Sequence, residues 1–343
     1  MIDRIAFLGS SSTDGFTYPM LVRQAIAEAQ LPVPEFINAG VGGNTTSQML
    51  ARIERDVISR KPSICVVQPG GNDAAHNTSA GNFSTSLRGI LTRLQEARIA
   101  TRLLTLNCVP CKEAERMPLT TAYNNAVRTL AAEFKCPVGD VYGSMKAARA
   151  RGENLIEADE THPNYEGYRL MSRVVLDLLG HGALTVPSVL KVDAHPGVIA
   201  EWKIRAIADA ASPALTREQV ATLRPQADWK TLTIPESEPQ THWWGEQTRQ
   251  EGFALSLKRV AGPAAKYIGY AKVVCDRPQA ACFNTGGHLQ AVWLNGETIF
   301  QALEWTGYHA GKERIPVQLR SGENTVVIET GAEFFASLTA EAP

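Results

Sequence analysis

Cysteine is scarce in this chain, with six residues in 343. Cys65, Cys108, Cys111, Cys136, Cys275 and Cys282 are too few and too scattered for a disulfide-stapled scaffold. Cys108-Val109-Pro110-Cys111 has the spacing of a redox or zinc pair. No second Cys pair or nearby His pair completes a four-ligand zinc site, so these residues read as reduced thiols at a strand end. His242, His288 and His309 have no ligand spacing, and no metal is expected. An excess of charge is also missing: 34 Lys and Arg stand against 35 Asp and Glu, for a net charge of -1. Without a basic stripe, nucleic-acid binding is disfavoured. No apolar run is long enough to cross a bilayer, so no membrane is expected. Met1-Ile2-Asp3-Arg4 lacks the basic start, long apolar stretch and small-residue cleavage site of a signal peptide. The expectation is a cytoplasmic protein, or a periplasmic or secreted one whose leader has been removed. There is no internal repeat and no low-complexity tract.

What is present is apolar content, 44% of the chain, at a length that suggests two domains. Residues 1–183 alternate strand and helix. Arg4–Leu8, Phe36–Ile37, Ser63–Gln68, Thr101–Asn107 and Val138–Val141 read as strands. Helices are expected over Tyr18–Gln30, Thr46–Ser59, Phe83–Ala97, Met117–Phe134 and Asn164–Leu179. Short apolar strands alternating with helices imply a parallel sheet covered on both faces. Reactive groups in such sheets gather beyond the carboxyl ends of the strands.

The composition then changes. All six Trp come after residue 185: Trp202, Trp229, Trp243, Trp244, Trp293 and Trp305. Residues 184–228 read as a linker with short helices, one near Ala200–Ala210 and one over Thr216–Leu223 capped by Thr216. Over 229–343 strands dominate: Trp229–Ile234, Phe253–Val260, Ala265–Cys275, Leu289–Leu294, Arg314–Leu319 and Thr325–Glu329. Asn295-Gly296 between two apolar runs is a hairpin signal, and Ser321-Gly322-Glu323-Asn324 makes a similar turn. Many short strands between turns suggest a mostly-β, jelly-roll-like sandwich. Its Trp residues read as packing before sugar stacking, with Trp243-Trp244 placed in a polar context.

Four stretches of the first domain carry chemistry when taken together. Gly9-Ser10-Ser11 follows the first strand, where a tight turn can present a serine. A hydroxyl is a poor nucleophile at neutral pH and needs an adjacent base, itself fixed by a third group. Asp159-Glu160-Thr161-His162 can supply both from one loop. Between these lie Gly42-Gly43-Asn44 and Gly71-Asn72-Asp73. The Gly43 N–H and the Asn72 amide suit the oxyanion of a tetrahedral intermediate, where loss of one donor costs about 100- to 1000-fold in rate. Taken singly, each stretch has a structural reading. Gly42-Gly43 would be an ordinary turn, Asn72-Asp73 a cap or Asx turn, and His162 a cap for the helix that follows.

In this order and spacing, the four blocks resemble the SGNH hydrolases, the GDSL-type esterase and lipase superfamily. The resemblance covers about residues 1–183. It implies Ser11 as nucleophile, His162 as base and Asp159 as its orienter. It implies an oxyanion hole from the backbone N–H of Ser11 and Gly43 and the Asn72 amide. It also implies a flavodoxin-like three-layer α/β/α fold and no metal or organic cofactor. Where the family has Asp in its first block this chain has Ser10, so three hydroxyls, Ser10, Ser11 and Ser12, are consecutive. Ser11 is selected by its position two after Gly9. The second domain resembles galactose-binding-like β-sandwich modules, through Val292-Trp293-Leu294-Asn295-Gly296-Glu297, Gly307-Tyr308-His309-Ala310-Gly311 and the Ile315–Asn324 stretch.

The expected function is a serine esterase that removes a short acyl group, acetyl first, from a carbohydrate or similar polar alcohol. Its partner is a small-molecule or saccharide ester, and no feature of the sequence specifies an oligomeric state. A lipase, lysophospholipase or thioesterase on longer acyl chains is the alternative within enzymes. A carbohydrate-binding protein with a degenerate hydrolase domain is the alternative outside them.

Overall fold

The computed structural model describes residues 3–107, 116–192, 195–234, 240–241, 247–250, 253–254, 257–303 and 306–340. The Cys108–Cys111 pair, His242, Trp243, Trp244 and Trp305 lie outside these residues. The chain forms two compact units, the first built on Met1–Leu190 and the second on Lys191–His242 and Gln247–Pro343.

The first unit runs β1 (Arg4–Gly9), α1 (Tyr18–Glu28), β2 (Glu35–Gly40), α2 (Thr46–Asp56), β3 (Ile64–Val67), α3 (Gly71–Ala75), α4 (Ala80–Glu96), β4 (Ala100–Leu104), α5 (Arg116–Phe134), β5 (Val138–Gly139), α6 (Val141–Ala150) and α7 (Tyr165–Leu178). The five strands are parallel, in the order β2-β1-β3-β4-β5. That is the flavodoxin-like strand order, whose ligand crevice lies at the carboxyl ends of β1 and β3, where the winding reverses. Ile5–Leu8 and Ile64–Val67 are buried throughout, as strands covered on both faces require. Met49 and Ile53 of α2, Leu87 and Leu91 of α4 and Val127 of α5 join Leu8 and Val67 in one core. Each such fully buried side chain is worth about 1.5–3 kcal/mol, so the strand ends form a stiff platform for the loops they carry.

Local chemistry sets the ends of these elements. Thr45 and Gln48 form a capping box at the start of α2, while Ser79 caps α4 and Asn164 caps α7. The sequence pattern carries α2 to Ser59, but the helix stops at Asp56 and tightens into a 3-10 turn over Ile58–Arg60. Lys61 is left-handed at φ 50°, and Pro62 after it disfavours a continuing α-helix. Two helices are absent from the sequence reading, α3 and α6. The second was written in Val141, Met145 and Ala148, which share one buried face.

The second unit contains β6 (Lys191–Val192), β7 (Glu201–Ile207), α8 (Arg217–Thr222), β8 (Lys230–Thr233), β9 (Gln240–Thr241), β10 (Gln247–Gln250), β11 (Phe253–Ala254), α9 (Leu257–Ala261), β12 (Lys266–Cys275), β13 (Gln279–Leu294), β14 (Glu297–Gln301), β15 (Arg314–Leu319) and β16 (Gly322–Ala340). It is a mostly-β sandwich with antiparallel neighbours in the order β14-β13-β16-β12-β7-β8. The long strand β13 pairs β16 on one edge and, on the other, β15 over Gln279–Asn284 and β14 over Ala291–Leu294. Register shifts near Leu289 bend it between the two.

Asn295 and Gly296 both have positive φ, as the hairpin signal requires. Thr216 caps α8 as its sequence indicates. Two expectations are corrected. The stretch expected as a helix near Ala200–Ala210 instead holds the strand β7, Glu201–Ile207, because Trp202 and Ile204 are buried while Glu201 and Arg205 are exposed and Lys203 is half-buried, a period of two. Phe253–Val260 is not one strand: Phe253–Ala254 pairs with β16, and α9 begins at Leu257. Trp202, Trp229 and Trp293 are buried, and the Trp202 indole donates to the Ile199 carbonyl at 2.7 Å. These three are packing residues.

Candidate active site

The β1 end turns sharply. The N–H groups of Thr13 and Asp14 both donate to the Ser10 carbonyl at 2.9 Å, which coils residues 10–14 into a tight turn. Gly9 is required just before it, because a Cβ there would sit 2.0 Å from Thr13 Oγ1. The Thr13 carbonyl in turn accepts from the Asn38 amide at 2.9 Å and the Thr17 hydroxyl at 3.0 Å. Of the three consecutive serines, Ser10 and Ser12 are each 6% exposed, while Ser11 is only partly buried. The turn therefore presents one of the three hydroxyls.

That hydroxyl meets the distant loop. Ser11 Oγ lies 2.8 Å from His162 Nε2 across 151 residues of sequence. His162 Nδ1 lies 2.6 Å from Asp159 Oδ2. A carboxylate only accepts, so Nδ1 carries the proton and Nε2 faces Ser11 as an acceptor. The other Asp159 oxygen accepts the backbone N–H of Thr161 at 2.8 Å and of His162 at 3.0 Å. Burial raises the Asp159 pKa, but the bonds from the His162 backbone, the His162 ring and Thr161 outweigh it and hold the carboxyl below its ordinary value.

The loop itself is pinned. Ile156 and Pro163 form an isolated antiparallel bridge, Glu157 N–H donates to the His162 carbonyl at 2.8 Å, and the Asn107 amide donates to the Thr161 carbonyl at 3.4 Å. Asp159 is half exposed, so solvent screens its charge and its contribution to stability is modest. A carboxyl depressed in the folded state stabilises above its unfolded pKa and loses that contribution as pH falls through its folded pKa. The thermal midpoint of the wild type should therefore exceed that of Asp159→Asn by an amount that shrinks below about pH 4, by a few degrees at most. Scanning calorimetry of both proteins from pH 6 to pH 3 measures the difference. A constant gap would show that Asp159 is not ion-stabilised.

The other two predicted positions follow the neighbouring strands. Gly43 is in the turn after β2, exposed, with φ +82° and open space where a Cβ would stand. Its backbone conformation, and not crowding, explains the glycine. Asn72 lies in α3, directly after β3, and donates through Nδ2 to the Asn44 carbonyl at 3.0 Å. Asp73 is buried and accepts both the N–H and the hydroxyl of Thr46, at 2.8 and 2.9 Å. Asp73 thus ties α3 to the start of α2, while Asn72 faces the Gly43–Asn44 turn. Ser11, Gly43 and Asn72 leave the carboxyl ends of β1, β2 and β3, three adjacent strands.

The structure adds residues that the sequence reading did not single out: Arg52, Asn44 and Asn107. Arg52 had a visible signal, a cation between the apolar Met49 and Ile53 with Asp56 four residues on. No group of three or more His, Cys, Asp or Glu among the described residues is arranged to hold a metal. The described cysteines are unpaired, and burial pushes the Cys65 thiol up to about 12, which makes it inert as a nucleophile. No helix among the described residues is long and apolar enough to cross a membrane.

No curated protein sequence matches the chain. Among solved structures, the chain is similar to LAE5, an alpha/beta hydrolase enzyme from the metagenome of Lake Arreo, Spain, at 21% identity and a TM-score of 0.47, over 52% of this chain and 96% of that one. It is similar to Axe2, an acetylxylan esterase from Geobacillus stearothermophilus, at 20% identity and a TM-score of 0.48, over 52% of this chain and 94% of that one. A third, the acetyl xylan esterase AlAXEase, has 22% identity and a TM-score of 0.47, over 51% of this chain and 98% of that one. The model of the GDSL-like Lipase/Acylhydrolase family matches residues 7–170, which span the β1 turn, the Gly43 turn, Asn72 and the Asp159–His162 loop. Residues 7–170 are a GDSL-like lipase/acylhydrolase domain, and the chain that carries them is a carboxylic ester hydrolase.

Proposed function

We propose that the protein is a serine esterase that hydrolyses short-chain acyl esters, acetyl esters first, of a carbohydrate or similar polar alcohol through an acyl-enzyme. One observation carries the mechanism: Ser11 Oγ at 2.8 Å from His162 Nε2, with His162 Nδ1 at 2.6 Å from Asp159. Ser11 Oγ attacks the ester carbonyl carbon as its proton passes to Nε2. The carbonyl oxygen becomes an oxyanion, stabilised by the N–H groups of Ser11 and Gly43 and by the Asn72 amide. The bond to the leaving alcohol then breaks, and Nε2 returns the proton to that alcohol. Water attacks the acyl-enzyme, gives a proton to Nε2, and the carboxylic acid leaves as Ser11 Oγ is reprotonated. Asp159 keeps its charge throughout and holds the imidazole in the tautomer that accepts from serine. The preference for a saccharide ester is supported by the likeness of the second unit's sequence to galactose-binding-like modules.

Acyl preference is measured with nitrophenyl esters of increasing chain length, together with acetate release from acetylated saccharides. The expected result is a fall in kcat/KM of roughly tenfold or more beyond butyrate, the size of discrimination that a few methylenes provide. Rates that rise toward octanoate would assign the lipase or thioesterase reading instead.

A further inference from the structure

Arg52 is nearly buried, its side chain 9% exposed, yet it is neither in the reacting group nor on the surface. All of its nitrogens are engaged. Nε donates to Asn44 Oδ1 at 2.7 Å. One terminal nitrogen donates to the Ala39 carbonyl and to Asp56 Oδ2, both at 2.8 Å, and the other to the Gly9 carbonyl at 2.8 Å. Asp56 balances the charge and also takes Arg55 Nε at 2.6 Å. Burial of a guanidinium is costly unless its donors are matched, and here four of the five N–H groups are.

The acceptors are not random. Gly9 is two residues before Ser11, at the end of β1, and Ala39 is at the end of β2. Asn44 follows Gly43, and its carbonyl is the acceptor for the Asn72 amide at 3.0 Å. One planar fork therefore spans β1, β2 and the Gly43–Asn44 turn, and through Asn44 it reaches Asn72. The second N–H of that amide is the one the mechanism uses. We infer that Arg52 is a positioning residue for the oxyanion site: it locks the turn that presents the Gly43 N–H and, through Asn44, aims the Asn72 amide. This rests on the esterase reading given above. A lysine keeps the charge but is a point donor, and it cannot bridge the Gly9, Ala39 and Asn44 acceptors at once.

The test is Arg52→Lys in the full chain, assayed on nitrophenyl acetate with active sites titrated by a fluorophosphonate. A role confined to folding lowers the number of titratable sites and leaves kcat per site unchanged. A positioning role lowers kcat per site, by about 10- to 100-fold, with KM within about twofold. The second arm is Asn72→Ala, alone and combined. Because Arg52 acts partly through Asn72, its substitution should cost clearly less in the Asn72→Ala background than in the wild type. A wild-type kcat per site in Arg52→Lys, or an equal loss in both backgrounds, would overturn the inference. If Arg52→Lys yields no titratable protein, Asn44→Ala tests the same link and leaves the Asn44 carbonyl in place. It should lower kcat per site in the same way, and no change there overturns the inference equally. Failure of the esterase reading looks different. A wild type that is not labelled at Ser11 removes both, whereas a labelled wild type with an unaffected Arg52→Lys removes only the role of Arg52.

Discussion

Ser11→Ala should lower kcat for ester hydrolysis by roughly 10⁴- to 10⁶-fold, while Ser10→Ala and Ser12→Ala stay within about tenfold of wild type. The contrast follows from one turn. Only Ser11 combines solvent access with a hydrogen bond to an imidazole, at 2.8 Å. Ser10 is buried, and its carbonyl, not its hydroxyl, holds the turn. Ser12 is buried, so its loss removes a packed hydroxyl and no reacting group. Intact-mass measurement after fluorophosphonate treatment gives a second reading: one adduct on wild type, Ser10→Ala and Ser12→Ala, and none on Ser11→Ala. Full activity in Ser11→Ala would move the nucleophile elsewhere, and loss in all three variants would point to collapse of the turn.

What could be read from the residues alone, and what could not, divides along physical lines. The parallel sheet was legible because its strands are buried on both faces and so appear as unbroken apolar runs, Ile5–Leu8 and Ile64–Val67. The Asn295-Gly296 hairpin and the Thr216 cap were legible because they depend on backbone conformation at one or two residues. The strand β7 was not, because Trp202 and Ile204 gain their period only once β12 and β8 lie beside them. The long β13 and β16 were shortened in the reading, since a bulged strand has no single alternation to follow. In the site, Ser11, Gly43, Asn72, Asp159 and His162 stood out through chemistry-bearing residue types next to glycines or in one short loop. Arg52 did not, because an arginine with Asp56 at i+4 on a helix reads as a solvated ion pair. Its burial comes from the strand ends Gly9 and Ala39, which no local pattern places beside it.

Asp159→Asn should be more damaging than Asp159→Ala, the reverse of what side-chain conservation suggests. Asp159 Oδ1 accepts two backbone N–H groups, from Thr161 and His162, at 2.8 and 3.0 Å. An asparagine that keeps those bonds must put its carbonyl oxygen in the Oδ1 place and its NH₂ toward His162 Nδ1. Two donors cannot face each other, so Nδ1 must give up its proton and accept. The proton then resides on Nε2, and His162 can no longer take one from Ser11. The cost of this wrong tautomer is about 10⁴-fold in kcat. Alanine imposes no tautomer. Asp159 is 46% exposed, so water reaches the vacated place and solvates Nδ1–H. The expected loss is then about 10²-fold, with orientation of the ring as the missing contribution. Steady-state kcat at pH 8 on nitrophenyl acetate orders the two variants. Equal rates, or a faster Asp159→Asn, would mean that Asp159 neither sets the tautomer of His162 nor is held by the two backbone bonds. Asp159→Asn has a further signature: hydroxide can replace the missing base, so its rate should climb with pH well past the range in which the wild type levels off.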